Sequence, residues 1–167
     1  MTSVELMNNL ADYIREVVKD YSSQQKAGDI PVAVYSGWPP IRMASAEKES
    51  FIYALALEWE DKEDGTFSTC KAEIGFSIYD ADKEQGCFSL YNIMEHVRQA
   101  LLKHRTLNGR NRLELPLKSV VSDDQPYPQW QGAITATYTI GQPEQEDFPY
   151  GYEDDIQKVL RQLSLSA

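Results

Sequence analysis

Two histidines, two cysteines and a dense set of carboxylates are the side chains of this 167-residue chain with chemistry to offer. His96 and His104 stand eight positions apart on a stretch with helical spacing, too far along a helix axis to share one metal ion. No cysteine or carboxylate flanks them at ligand spacing, so they read as solvated or helix-terminal residues. Asp80-Ala81-Asp82-Lys83-Glu84 opens like a calcium loop, but Gln85 stands where the turn glycine belongs and Tyr91 where the bidentate glutamate belongs. There is no glycine-rich phosphate loop, nucleophile elbow or paired-histidine zinc motif. The carboxylates read as solvated charge, because acid–base work needs a pocket that perturbs them and no pattern marks one. Cys70 falls inside a strand pattern and reads as a small buried hydrophobe; Cys87, in a Gly86-Cys87-Phe88 turn, reads as more exposed, and the two are not expected to pair. The reading is therefore of a protein that is not an enzyme, with no catalytic residue, no cofactor and no metal.

The bulk properties agree with a single soluble domain that works through its surface. A formal charge of -10 and a pI near 4.6 repel nucleic-acid phosphates at long range, which makes the whole molecule a poor candidate for a dedicated DNA or RNA binder. No apolar run approaches the ~20 residues that span a bilayer. The opening Met1-Thr2-Ser3-Val4-Glu5 lacks the basic and apolar regions of a secretory signal, so cytoplasmic synthesis and residence are expected.

The elements alternate helix and strand in an α+β order. Met7, Leu10, Ile14, Val17, Val18 and Tyr21 give residues 3–21 one apolar helical face, capped by Thr2 or Ser3 with Glu5 in the first turn. After a polar stretch, residues 30–36 form a short strand leading into Gly37-Trp38-Pro39-Pro40, where Trp38 is a surface anchor or a lid on the core, with the lid preferred. Residues 41–50 read as a polar connection. A long hairpin follows over residues 51–60 and 67–80; Phe51, Tyr53, Leu55, Leu57 and Trp59 place the bulk on one face of its first strand. At this length it is expected to project beyond its own core. Ser89 is placed as the cap of a second helix that ends near Arg105. A turn at Asn108-Gly109 and strands over 112–122 and 129–140 close the sheet, Pro116 marking an edge. The expected architecture is a mixed or antiparallel sheet of about five strands packed by two helices. Residues 1–141 form this domain, and residues 142–167 form an acidic C-terminal arm with a short amphipathic helix.

Three segments are candidates for contact with other proteins. The first is the charged hairpin turn Asp61, Lys62, Glu63, Asp64 and Gly65. The second is a basic turn with Arg105, Arg110 and Arg112. The third is the arm, with Glu144, Glu146, Asp147, Phe148, Tyr150 and Tyr152. Turn and arm are opposite in charge; they are either two solvated surfaces or, in a ring, partners across subunits. Tyrosine, with ten residues, is favoured at protein contacts, although core packing explains some of them.

This order of elements resembles that of the tail terminator proteins of bacteriophages and phage-like contractile particles. The likeness runs over about residues 4–140. It rests on the helix 6–21, Ile30-Pro31-Val32, the hairpin 51–80, the helix 91–104 with Ile93-Met94 and Leu101-Leu102, and the strand 130–140. It implies a homo-oligomeric ring, usually a hexamer, in a virion or phage-tail-like particle assembled in the host cytoplasm. Such a ring would cap the tail tube, end its polymerisation and dock the head or neck, or the end of the sheath. Its partners would be tail tube protein, sheath and head-neck connector proteins, with no membrane and with DNA only as passing cargo. Six copies would carry 6 × -10 = -60, a charge over which DNA would slide without sticking. The family supplies no catalytic residue. A head-completion or neck connector protein is the nearest alternative, and a small-molecule-binding α+β domain or enzyme the more distant one.

Overall fold

The computed structural model describes residues 2–19, 21, 31–40, 49–63, 65–145 and 152–165. The elements are α1 (Ser3–Lys19), β1 (Ala33–Ser36), β2 (Phe51–Glu60), β3 (Phe67–Tyr79), α2 (Gly86–Lys103), β4 (Thr106–Leu107), β5 (Asn111–Val121), β6 (Gln129–Gly141) and α3 (Tyr152–Leu165). They form an α+β fold on one six-stranded mixed sheet, ordered β1-β2-β3-β6-β5-β4. β1 pairs parallel to β2, and the other pairs are antiparallel. The sixth strand is the two-residue β4, too short for periodicity to reveal. It forms because Asn108 and Gly109 both take positive φ, 49° and 65°, the geometry of a tight hairpin turn.

Both helices lie on the same side of the sheet, α1 over β1 and β2, α2 over β3 and β6. Alternation decides what they bury. Ile52 and Ala54 of β2, Ala72, Ile74 and Phe76 of β3, and Ile134, Ala136 and Tyr138 of β6 meet Leu6, Leu10 and Ile14 of α1 and Ile93, Val97 and Leu101 of α2. Thr2 caps α1, its hydroxyl accepting from the Glu5 amide at 3.2 Å.

Four expectations need correction. The second helix begins at Gly86, not at Ser89: Asp82 Oδ1 accepts from the amides of Glu84 and Gln85, starting the helix a turn early, and Ser89 Oγ bonds Asp80. Cys87 thus lies in a helical turn, half-buried; Cys70 is buried, and both are free thiols. The hairpin is no projecting ribbon, because β3 pairs with β6 along its whole length, from Phe67↔Gly141 to Tyr79↔Gln129. Trp38 is no lid: it is 77% exposed. Asp64, Glu146, Asp147, Phe148, Tyr150, the polar stretch 22–30 and the connection 41–48 lie outside the described residues.

Tyr138 is the largest side chain wholly enclosed by this core, and its hydroxyl finds no hydrogen-bond partner there. Burial pushes its ionisation well above the usual tyrosine value, and neighbouring Tyr13 pushes the same way. The unfolded chain ionises first, so the stability this residue contributes is complete below about pH 10 and is lost as pH rises beyond it. Tyr138→Phe is expected to raise stability at neutral pH by about 1 kcal/mol and to flatten the alkaline decline. Urea unfolding at pH 7 and pH 10.5 measures both (urea titration at two pH values); a less stable Tyr138→Phe protein would contradict the placement of the hydroxyl.

Candidate interaction surfaces

The candidate segments converge on one end of the sheet. β2 and β3 meet there in the 61–66 turn, β6 ends there at Gly141, and β5 begins there at Asn111. Two links hold this end. Asn111 donates to the Thr139 carbonyl at 3.0 Å and accepts from Asn9 of α1 at 3.0 Å. Gln142, the first residue past β6, clasps the hairpin turn: its carbonyl oxygen accepts from the Lys62 amide at 3.1 Å and lies 3.2 Å from Ser68 Oγ, while its amide donates to the Lys62 carbonyl. Asp61 accepts from Ser68 Oγ. Glu63 and Glu144 are exposed beside this clasp, and Gly65 is hemmed in by the Lys62 side chain.

The basic turn is partly spoken for within the chain. Arg110 pairs with Glu5 at 3.0 Å across the α1 N-terminus, and Arg105 Nε donates to the Leu102 carbonyl at 3.3 Å. Arg112 is exposed, and its backbone amide donates to Thr139 Oγ1 at 3.0 Å. Tyr152 starts α3. Of the arm candidates, the structure thus places Glu144 at the sheet end and Tyr152 on a helix.

The histidines do structural work. His96 Nε2 is 2.9 Å from the Val17 carbonyl, and His104 stands edge-on to Tyr13 at 6.2 Å, both joining α2 to α1. Asp80 and Asp82 spend carboxylate oxygens on nearby backbone amides. Among the described residues no three His, Cys, Asp or Glu side chains gather to hold a metal.

Sequence reasoning missed the sheet face turned away from the helices. One row across it reads Tyr53, Gly75, Ala133, Val120, and the next, towards the hairpin turn, Leu55, Glu73, Thr135, Lys118. Further along, Glu58, Lys71, Thr137 and Glu114 make a charged row. The face is therefore aromatic at one end and polar at the other. At the aromatic end Trp38 stacks on Tyr53 at 6.5 Å, and Phe51 lies 6.3 Å from Tyr53 and 6.2 Å from Tyr35. Trp38, Phe51 and Tyr53 border a groove of about 690 Å3 that Glu73, Gln131 and Thr135 also line. Desolvation, and secondarily the Glu73 charge, push the Tyr53 hydroxyl above its ordinary ionisation range. The bulky stripe of β2 was the available signal, but periodicity cannot say which side the helices take.

No family model matches the chain, and neither does any curated protein. Among solved structures, a chain from the virion of a native gene transfer agent particle aligns over 85% of this chain and 100% of its own, at 14% identity and a TM-score of 0.48. A second solved chain aligns over 83% of this one and 97% of its own, at 11% identity and a TM-score of 0.45. At such values neither likeness carries a function across.

Proposed function

We propose that this protein is a structural component of a phage tail or phage-like particle, assembling into a ring that caps the tail tube, ends its growth and presents a docking surface for the neck or the sheath end. The observation that carries this reading is the gathering of the hairpin turn, the basic turn and the start of the arm at one end of the sheet. That end sets charged turn residues beside the exposed Leu57, Trp59 and Phe67, a mixed surface suited to a large flat partner such as the last ring of a tube. The element order's resemblance to tail terminators supports the same reading. The protein would then act by shape, with tube protein, sheath and connector as its partners.

In solution, the full chain is expected to sediment as a closed oligomer of about six copies and to bind the ends of purified tail tubes, where electron microscopy would show one cap per finished tube. A strict monomer that ignores tube protein would sink the proposal. A ring that binds the head-side connector and never the tube would make it a neck protein. The aromatic groove favours a second reading, a ligand-binding α+β domain; saturable quenching of Trp38 fluorescence by a small molecule, with no tube binding, would select it.

A further inference from the structure

At the hairpin end of the sheet, its two margins differ in charge. On the β2 side, β1 covers only Phe51–Ala54, and the last bond there runs from the Gly37 amide to the Ala54 carbonyl at 2.8 Å. The outer edge of β1 is itself taken, since Arg15 of α1 donates to the Val34 carbonyl at 2.9 Å. Beyond Ala54, β2 has no strand on its outer side among the described residues. A bulge between Ala56 and Glu58 guards this stretch against strand pairing, so what it offers a partner is side chains. They are Leu57 and Trp59, 47% and 56% exposed, with the exposed carboxylates Glu58 and Glu60.

The opposite margin is β4 and the turn into β5. Arg110 is held there by Glu5, but Lys103, Arg105 and Arg112 are exposed and in no ion pair among the described residues. Two rows across the sheet join the margins. Glu60 pairs with Thr69 and Thr69 with Thr139, whose Oγ1 accepts from the Arg112 amide at 3.0 Å. Trp59 pairs with Cys70, Cys70 with Tyr138 and Tyr138 with Leu113, whose amide donates to the Arg105 carbonyl at 2.6 Å. Glu60 is thus level with Arg112, and Trp59 with Arg105. Three strand spacings, about 14 Å, keep Glu60 and Arg112 apart within one chain. The next row ends in Glu58 and Glu114, alike in charge, so the complementarity is confined to the two rows nearest the turns.

We propose that the β2 edge of one copy packs against the β4–β5 margin of a second copy. Glu60 then pairs with Arg112, and the Arg105 guanidinium lies over the Trp59 indole, a favourable cation–π contact. An acidic edge with an exposed indole fits a surface of guanidinium groups, and this chain presents one at the matching level. The inference rests on the ring reading and deepens it by naming the contact between copies, on the flank of the end offered to the tube. Because the matched rows share one level, joining copies takes a rotation with little rise, which closes a head-to-tail contact into a ring.

Charge reversal in the full chain, followed by sedimentation over a concentration series, is the test. Glu60 and Arg112 are exposed, and the bond from residue 112 to Thr139 is made by its backbone, so Glu60→Arg and Arg112→Glu should leave the melting temperature unchanged. Each alone is expected to raise the concentration at which the ring dissociates by about tenfold or more. Mixing the two single variants should restore assembly, since every copy then meets the opposite charge on both flanks. If a reversed chain does not fold, Trp59→Ser probes the same edge and should weaken the ring by a similar factor. A wild-type ring that tolerates these substitutions overturns this contact alone. Weakened single variants that fail to rescue each other overturn the Glu60–Arg112 pairing. A wild type that is monomeric at every concentration overturns the ring reading and this contact with it.

Discussion

Phe76→Ala is expected to lower stability by about 3–5 kcal/mol, while Trp38→Ala changes it by about 1 kcal/mol or less. Both are large aromatic residues within or beside strands, so composition treats them alike. Phe76 is 2% exposed, on the strand paired along both edges and beneath the helices. Truncating it removes buried area and leaves a cavity that two strands and a helix layer cannot collapse around. Trp38 is 77% exposed, and what it gives up is one ring stacked on Tyr53. The midpoint of urea unfolding reads both directly. Equal losses would mean that the helices cover the other face of the sheet.

Gly75→Val is expected to cost about 2 kcal/mol, although valine is the better strand former. A Cβ at this position would stand 2.0 Å from the Tyr53 ring, which lies across the glycine. The ring must leave, and with it go its contacts to Trp38 and Phe51. The same change made in a Tyr53→Ala background should be neutral or mildly stabilising, because the obstacle is gone and strand propensity then acts alone. Additive effects in this double-mutant cycle, read by thermal unfolding, would remove Tyr53 as the cause.

Much of the fold was legible from alternation and helical spacing. Leu10, Ile14 and Val18 recur at helical steps, Cys70, Ala72, Ile74, Phe76 and Ile78 at strand steps, and all are buried, whereas Met7, placed on the same stripe, is only half-buried and its neighbour Leu6 is enclosed instead. The α+β class and the order of the main elements follow from such patterns. Boundaries were less legible where side chains bond to backbone: Asp82 begins α2 before its apolar stripe does. The candidate segments were legible as charge, but not as neighbours. Nothing local in Gln142 announces that it clasps Lys62, eighty positions earlier. The electrostatic value of the basic turn was also hidden, since the carboxylate facing Arg110 belongs to Glu5 at the other end of the chain.

Local periodicity thus determined which residues share a face, because that depends only on the geometry of the chain itself. It could not determine which of two faces is covered, which strand lies at an edge, or which charges meet, because those depend on residues far apart in sequence. The bulky stripe Phe51-Tyr53 was visible from the start. Only the tertiary structure, by setting both helices against the opposite face, made it the wall of an open groove.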